Sequence, residues 1–330
     1  MTETALARAT AFFSRHQHYC IASHIRPDGD AIGASLALGL GLIHCGKRVT
    51  VFNADGVPAN LRFLPYADRV VRSLGESVGI DAVILADCNR PDRAGEPIAE
   101  LAKRLPLFIV DHHVSSGEHV ETHCIEPRAA ATGEIVYHLL QRMRVPTTPE
   151  LATLLYCTLV VDTGQFRYSN ATPAVFQLAA ELVARGADPW QVASALTEQH
   201  HPAVLHLLRL TLETLELSVQ GRVATILLSQ DMLREAEALP EYAEDFVNYP
   251  RSIAGVEVAI LLRELPDGRW KASLRSKREV DVAVIAAKYD GGGHEHAAGC
   301  MLSGPMATAR DTILKSVAEA LQKRANRAAS

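Results

Sequence analysis

Short apolar runs alternate with longer stretches of helical periodicity along the first half of the chain. The runs at 19–22, 47–53, 81–87 and 105–111 have the length and β-branched content of buried strands. Residues 5–16, 31–45, 97–104, 132–144 and 149–162 carry apolar positions at helical spacing. The 31–45 stretch is small or apolar nearly all round, as suits a helix packed on a sheet, and Gly46 supplies its stop. Strands separated by helices predict βα units and a parallel sheet. Further helical patterns fall at 173–185, 188–197 and 202–216, with a break at 186–189. From residue 221 the period shifts to strands at 221–228, 256–265 and 269–275, the last two joined by a turn at Pro266, Asp267 and Gly268. A helix at 282–289, a glycine-rich stretch and a final helix at 307–323 complete the chain. The fold class is therefore α/β. Residues 1–187 form a doubly wound parallel sheet, 188–215 a helical linker, and 216–330 a smaller α/β domain with a mixed sheet.

The length of 330 residues allows two domains, each with its own core. With 48% hydrophobic and 22% charged residues, the composition is that of an ordinary soluble globular protein. A net charge of −5 argues against a broad face for long duplex nucleic acid. It leaves room for a small phosphorylated substrate gripped by local arginines. The six cysteines (20, 45, 88, 124, 157 and 300) form no CxxC pair, which points to reduced thiols in a cytoplasmic chain. Residues 1–13 lack the pattern of a signal peptide, and the longest apolar run, 151–161, is too short to span a bilayer. No membrane partner is expected, and a homodimer is left open.

Chemistry concentrates where strands end. Glycines 39, 41 and 46 lie inside and at the end of a helix, so they are not a dinucleotide fingerprint. Directly after the first strand come His24, Arg26, Asp28 and Asp30. Asp87 ends the third strand, and Asp111 ends the fourth and is followed by His112 and His113. Asp162 closes the helix that begins at Pro149, where an anion opposes the helix dipole and calls for a compensating positive charge. Singly, each acid has an ordinary reading as a turn, a cap or a strand stop. Together they are another matter. A doubly wound sheet gathers its strand ends into one crevice, and so many carboxylates there repel one another unless cations neutralise them. Carboxylates and imidazoles without thiolates suit Mn²⁺ first, with Mg²⁺, Co²⁺ or Zn²⁺ behind it. There are too many ligands for one ion, and two ions sharing a carboxylate can hold a phosphate for in-line displacement. In the second half, Gly291, Gly292 and Gly293 beside His294 predict a loop whose exposed amides form an anion-binding nest. Arg275 and Ser276, at a strand end, can add charge-assisted hydrogen bonds.

These features together resemble the DHH phosphoesterase family, named after the triplet that stands here as Asp111, His112 and His113. Residues 23–33 are similar to its first motif, Asp87 to its second and Asp162 to its fourth. The stretch at Gly291–His294 resembles the DHH-associated C-terminal domain, though many relatives carry a fourth glycine. The resemblance implies that His24, Asp28 and Asp87 hold one ion and that Asp30, Asp87, His112 and Asp162 hold the other. It further implies that Asp111 orients the ligand histidines, that His113 contacts the scissile phosphate, and that Arg26 belongs with the catalytic set. Arg275, Ser276, Gly292, Gly293 and His294 would bind the nucleotide.

Length and C-terminal domain look most like the branch of oligoribonucleases and 3′-phosphoadenosine 5′-phosphate phosphatases, whose relatives also cleave linear or cyclic dinucleotides. The expectation is a two-metal hydrolase of single-stranded RNA of about 2–5 nucleotides, limited by a cleft, or of the bisphosphate nucleotide. A manganese-dependent inorganic pyrophosphatase shares the N-terminal motifs. A processive single-strand exonuclease needs an added nucleic-acid-binding domain. A catalytically inactive nucleotide sensor would not require the full ligand set.

Overall fold

A computed structural model describes residues 3–75, 79–113, 122–199 and 201–328, with side chains to residue 324. The chain divides into two compact units, Met1–Gln199 and His200–Ser330.

Among the described residues, the first unit is built on six strands: β1 (His18–Ala22), β2 (Arg48–Phe52), β3 (Val70–Val71), β4 (Ala82–Ala86), β5 (Leu107–Asp111) and β6 (His123–Ile125). They lie in the order β3-β2-β1-β4-β5-β6, and every pairing is parallel. A parallel sheet is covered on both faces, which is why β4 is apolar and buried at all five positions. The helices are α1 (Glu3–Arg15), α2 (Gly29–His44), α3 (Glu96–Ala102), α4 (Thr132–Arg142), α5 (Pro149–Asp162), α6 (Pro173–Ala184) and α7 (Pro189–Thr197). α1, α2, α4 and α5 contribute to the large core on one face, and α3 to a smaller core on the other. Glycines bring α2, α4 and α5 together. A Cβ on Gly33 would stand 2.7 Å from Thr158 Cγ2, and one on Gly133 would stand 1.9 Å from Thr158 Oγ1. Strand order runs outward in both directions from β1 and β4, so the crevice of this sheet opens at their carboxyl ends.

The second unit comprises α8 (Pro202–Leu212), β7 (Glu216–Ser218), β8 (Val223–Leu228), α9 (Gln230–Glu235), α10 (Asn248–Ser252), β9 (Val258–Glu264), β10 (Trp270–Ser276), α11 (Val282–Ala287), β11 (Gly292–His294), β12 (Ala297–Leu302) and α12 (Met306–Ala328). Its sheet runs β11-β12-β10-β9-β8-β7 and is mixed: β8 and β9 are parallel, the other neighbours antiparallel. On one face, Trp270, Ala272 and Leu274 of β10 share a core with Ile313 and Val317 of α12.

The expected α/β class and the two kinds of sheet are present. The two- and three-residue strands β3 and β6 were not anticipated, since so few residues make no readable alternation. The helix expected over 202–216 stops at Leu212, and Glu216–Ser218 pairs with β8 instead. The stretch 188–215, expected as a linker, is shared between the units. Val192 of α7 joins the first core, and Leu207 and Leu210 of α8 join a core of the second. Among the described residues, no helix is long and apolar enough to cross a membrane.

Candidate metal centre

The carboxyl ends of β1, β4 and β5 carry the expected side chains to one place. His24 follows β1. Asp87 follows β4 in the left-handed backbone region (φ 56°) and is 2% exposed. Asp28 is the N-cap of α2, its Oδ1 accepting from the N–H groups of Asp30 at 2.9 Å and Ala31 at 3.0 Å. Asp30 is fully buried and serves a different helix. Its Oδ2 accepts from Thr132 N–H at 2.6 Å and its Oδ1 from Gly133 N–H at 3.0 Å, the opening amides of α4. Ala131, at the N-cap of α4, has no side chain that could accept them. A distant carboxylate therefore caps that helix and gains from its positive end.

Histidines bring the carboxylates into contact. His24 Nε2 lies 3.3 Å from Asp87 Oδ2. His112 Nε2 lies 3.0 Å from Asp162 Oδ2, 3.7 Å from Asp87 Oδ1 and 3.8 Å from Asp30 Oδ2. His113 Nδ1 is 3.5 Å from Asp87 Oδ1. Among the described residues, three groups offer ligand atoms within 4.8 Å of one another: His24, Asp28 and Asp87; Asp30, His112 and Asp162; Asp87, His112 and His113. Asp87 belongs to two of them.

The other ring nitrogens fix how the histidines face. Nδ1 of His24 meets the Ile25 carbonyl at 2.9 Å, and Nδ1 of His112 meets that of Ala129 at 3.2 Å. A carbonyl only accepts, so in each ring Nδ1 carries the hydrogen and Nε2 is turned to the carboxylates. A metal-binding histidine needs that orientation. Among the described residues, Asp111 bonds to His113: its Oδ1 accepts from the His113 N–H at 3.0 Å and from Nδ1 at 2.8 Å. The resemblance implies that Asp111 orients both histidines; here Nδ1 of His112 meets the Ala129 carbonyl.

The electrostatics reflect the crowding. Burial pushes the Asp30 carboxyl well above the usual range, and Asp162, Asp87 and Asp28 add to it. Asp162 is raised by burial, with His112 pulling it back, and Asp28 by loss of water and then by Asp87. Burial works against the charged His24 and His112, but Asp87 and Asp162 respectively outweigh it and lift each to about 9. Asp111 raises His113. The positive charge demanded at the end of α5 is thus His112.

The donor set fits divalent metal ions. His112 Nε2 is buried without a hydrogen bond while three carboxylate oxygens converge on it. The donors are oxygen and imidazole nitrogen with no thiolate, the preference of hard and borderline cations.

Sequence reasoning missed what holds this arrangement. Besides capping with Asp30, Thr132 donates its hydroxyl to Asp87 Oδ1 at 3.0 Å. Asn170 Nδ2 donates to the carbonyls of Ala130 at 3.2 Å and Asp162 at 3.1 Å. The segment 129–133 therefore orients His112, Asp30 and Asp87, and Asn170 ties it to Asp162. One signal was available: Ala129, Ala130 and Ala131 open a helix with no polar N-cap, so the cap had to come from elsewhere. Arg26, also in left-handed backbone (φ 54°), has an exposed side chain, and its N–H donates to Asp55 Oδ2 at 2.6 Å. That backbone contact runs to Asp55, outside the cluster of His24, Asp28, Asp30, Asp87, His112 and Asp162.

In the second unit the glycine stretch is not a loop. Gly292–His294 is the edge strand β11, and its glycines admit close pairing with β12. A Cβ on Gly293 (φ 146°) would lie 2.4 Å from the Ala297 carbonyl oxygen. Arg275, Gly292 and His294 share one sheet face by register. Ser276 points the other way, buried, with Oγ 2.9 Å from His296 Nδ1.

Residues 18–159 match the DHH family, N-terminal domain, and residues 224–323 the DHHA1 domain. The chain is 34% identical over 92% of its length to the bifunctional oligoribonuclease and PAP phosphatase NrnA of Thermus thermophilus, covering 90% of that protein. It is 26% identical to the protein of the same name from Bacillus subtilis, over 84% of this chain and 87% of that one. The crystal structure of an exopolyphosphatase-related protein from Bacteroides fragilis superposes with a TM-score of 0.88 at 26% identity, covering 98% of this chain and 96% of that one.

Proposed function

The chain belongs to the DHH family, with the DHHA1 domain at its C-terminal side, and is a hydrolase of phosphoester bonds; from this premise we propose that it cleaves single-stranded oligoribonucleotides of about 2–5 nucleotides to mononucleotides and dephosphorylates 3′-phosphoadenosine 5′-phosphate to AMP, in the cytoplasm. Linear or cyclic dinucleotides belong to the same substrate class. The observation that carries the reading is Asp87, standing between His24 and Asp28 on one side and His112 on the other.

His24, Asp28 and Asp87 would hold one divalent ion, and Asp30, Asp87, His112 and Asp162 a second, Mn²⁺ before Mg²⁺ or Co²⁺. Such a pair supplies an activated water and neutralises charge developing on the phosphate. The remaining work falls to the chain. Thr132 and the α4 amides keep the shared and buried carboxylates in place. Asp111 holds the hydrogen of His113 on Nδ1 and favours the charged ring, so His113 Nε2 is set to give a proton to the leaving oxygen. Arg26 borders the crevice, and Arg275, Ser276, Gly292, Gly293 and His294 grip the nucleotide, Ser276 by bracing the β11–β12 turn.

The test is a product time course with Mn²⁺ on end-labelled dimers to pentamers, beside the bisphosphate nucleotide and pyrophosphate. Mononucleotides from the short RNAs and AMP from the bisphosphate are expected. Rapid turnover of pyrophosphate alone would contradict the reading.

A further inference from the structure

In the second unit, residues paired across antiparallel strands point to the same face. The register puts Arg263, Lys271 and Met301 in one row, and Leu261, Ser273, Gly299 and Gly292 in the next. Arg275, Ala297 and His294 form a third row, beside Ala259. Ala259 and Leu261 are buried, whereas Ser273, Gly299 and Gly292 remain accessible as a floor of small residues. A cavity of about 220 Å³ opens beside that floor, lined by Arg263, Lys271, Ser273, Arg275, Leu261 and Glu244. Three cations face one carboxylate there. The sequence reading used only the end with Arg275 and His294. Arg263 and Lys271 stand further along the same face.

The geometry points to a phosphodiester track along β10, with Arg275 and His294 at one end and Lys271 with Arg263 at the other, for the backbone of a single-stranded oligonucleotide. The inference rests on the proposed substrate and adds a device that favours longer members of the class. Lys271 and Arg275 are four residues apart on one strand, about 13 Å at the usual strand rise. The two phosphates of one mononucleotide cannot span that distance, and neither can two adjacent phosphates of a strand, but phosphates separated by two nucleosides of a short strand can. The small floor lets a sugar–phosphate backbone lie close, and with no aromatic ring on it bases are not stacked there. Contacts to phosphate fix position without reading sequence. Arg263 is already braced, its Nη1 donating to the Pro240 carbonyl at 2.8 Å, so little side-chain freedom is lost on binding.

The experiment uses the full chain with Arg263→Gln and Lys271→Gln, singly and together. Steady-state constants for dimers, trimers and pentamers and for the bisphosphate nucleotide are measured across a range of salt. In the double variant the pentamer KM should rise about tenfold more than that of the dimer, and the salt slope for the pentamer should fall by about 1.4, from 0.7 per cation removed. Arg263→Lys with Lys271→Arg, which keeps both charges, should restore the slope. An equal loss on every substrate, or an unchanged pentamer KM and slope, would overturn the track. Anisotropy of a fluorescent pentamer reads the same variants without catalysis. If the wild-type chain cleaves no RNA yet the variants lose pentamer binding, the substrate assignment fails and the track stands; if it cleaves RNA and the variants bind as well as wild type, the track fails alone.

Discussion

The two units handle negative charge in opposite ways. The first unit buries its own: Asp30, Asp87 and Asp111 are nearly or fully excluded from water, held apart and oriented by backbone amides, one threonine and three histidines. The second unit keeps Arg275, His294 and its glycine edge accessible on the part of the sheet face beyond the core that covers β8 and β9. Crowded, buried carboxylates favour a cation among them, and the donor set of the first region fits divalent metal. The open face costs nothing to leave unfilled and suits a ligand that comes and goes. The difference separates chemistry from grip, and substitutions can separate them too.

The largest effect should come from the shared carboxylate. Asp87→Ala should lower kcat/KM by about a thousandfold or more, roughly 4 kcal/mol at the transition state, because Asp87 belongs to two of the three groups and faces His112 of the third. Retained activity measured with saturating Mn²⁺ would break the comparison. Next comes pH. With His24 and His112 each near 9 in the metal-free protein, both carry a proton at neutral pH that an arriving cation must displace. Apparent Mn²⁺ affinity should therefore rise by about tenfold per pH unit for each ion between pH 7 and 9 and level off above, with proton release seen by calorimetry in buffers of different ionisation heat. Affinity that falls over that range would contradict the proton placement. Thr132→Val and Asn170→Ala remove only supporting hydrogen bonds, and each should weaken metal binding about tenfold, read by titration of the metal-free chain. Smallest is the glycine edge. Gly293→Ala forces a side chain against the Ala297 carbonyl and should raise KM roughly fivefold, on the order of 1 kcal/mol, without altering metal stoichiometry.

What the sequence made legible follows the same division. The convergence of His24, Asp28, Asp30, Asp87, His112 and Asp162 could be read because parallel strands deliver their ends to one edge, so position along the chain already implies position in space. Thr132 and Asn170 could not, since an isolated threonine at a helix start looks like any local cap, while its partner Asp30 lies 102 residues away. Asp111 was expected beside both histidines, but which ring it bonds depends on ring orientation, which pattern does not carry. The glycines were noticed and given the wrong local structure: three in a row suggest a flexible loop, and only the facing strand shows that their lack of a Cβ is used for close pairing. Ser276 was placed beside Arg275 because they are adjacent in sequence, which on a strand puts them on opposite faces.

The central claim is that two cations share Asp87, and metal stoichiometry by native mass spectrometry with Mn²⁺ tests it most directly. The account predicts two ions on the wild-type chain, one after His24→Ala, one after Asp162→Ala, and weakened occupancy of both after Asp87→Ala. A single ion on the wild-type chain, or two tightly held ions after Asp87→Ala, would contradict it.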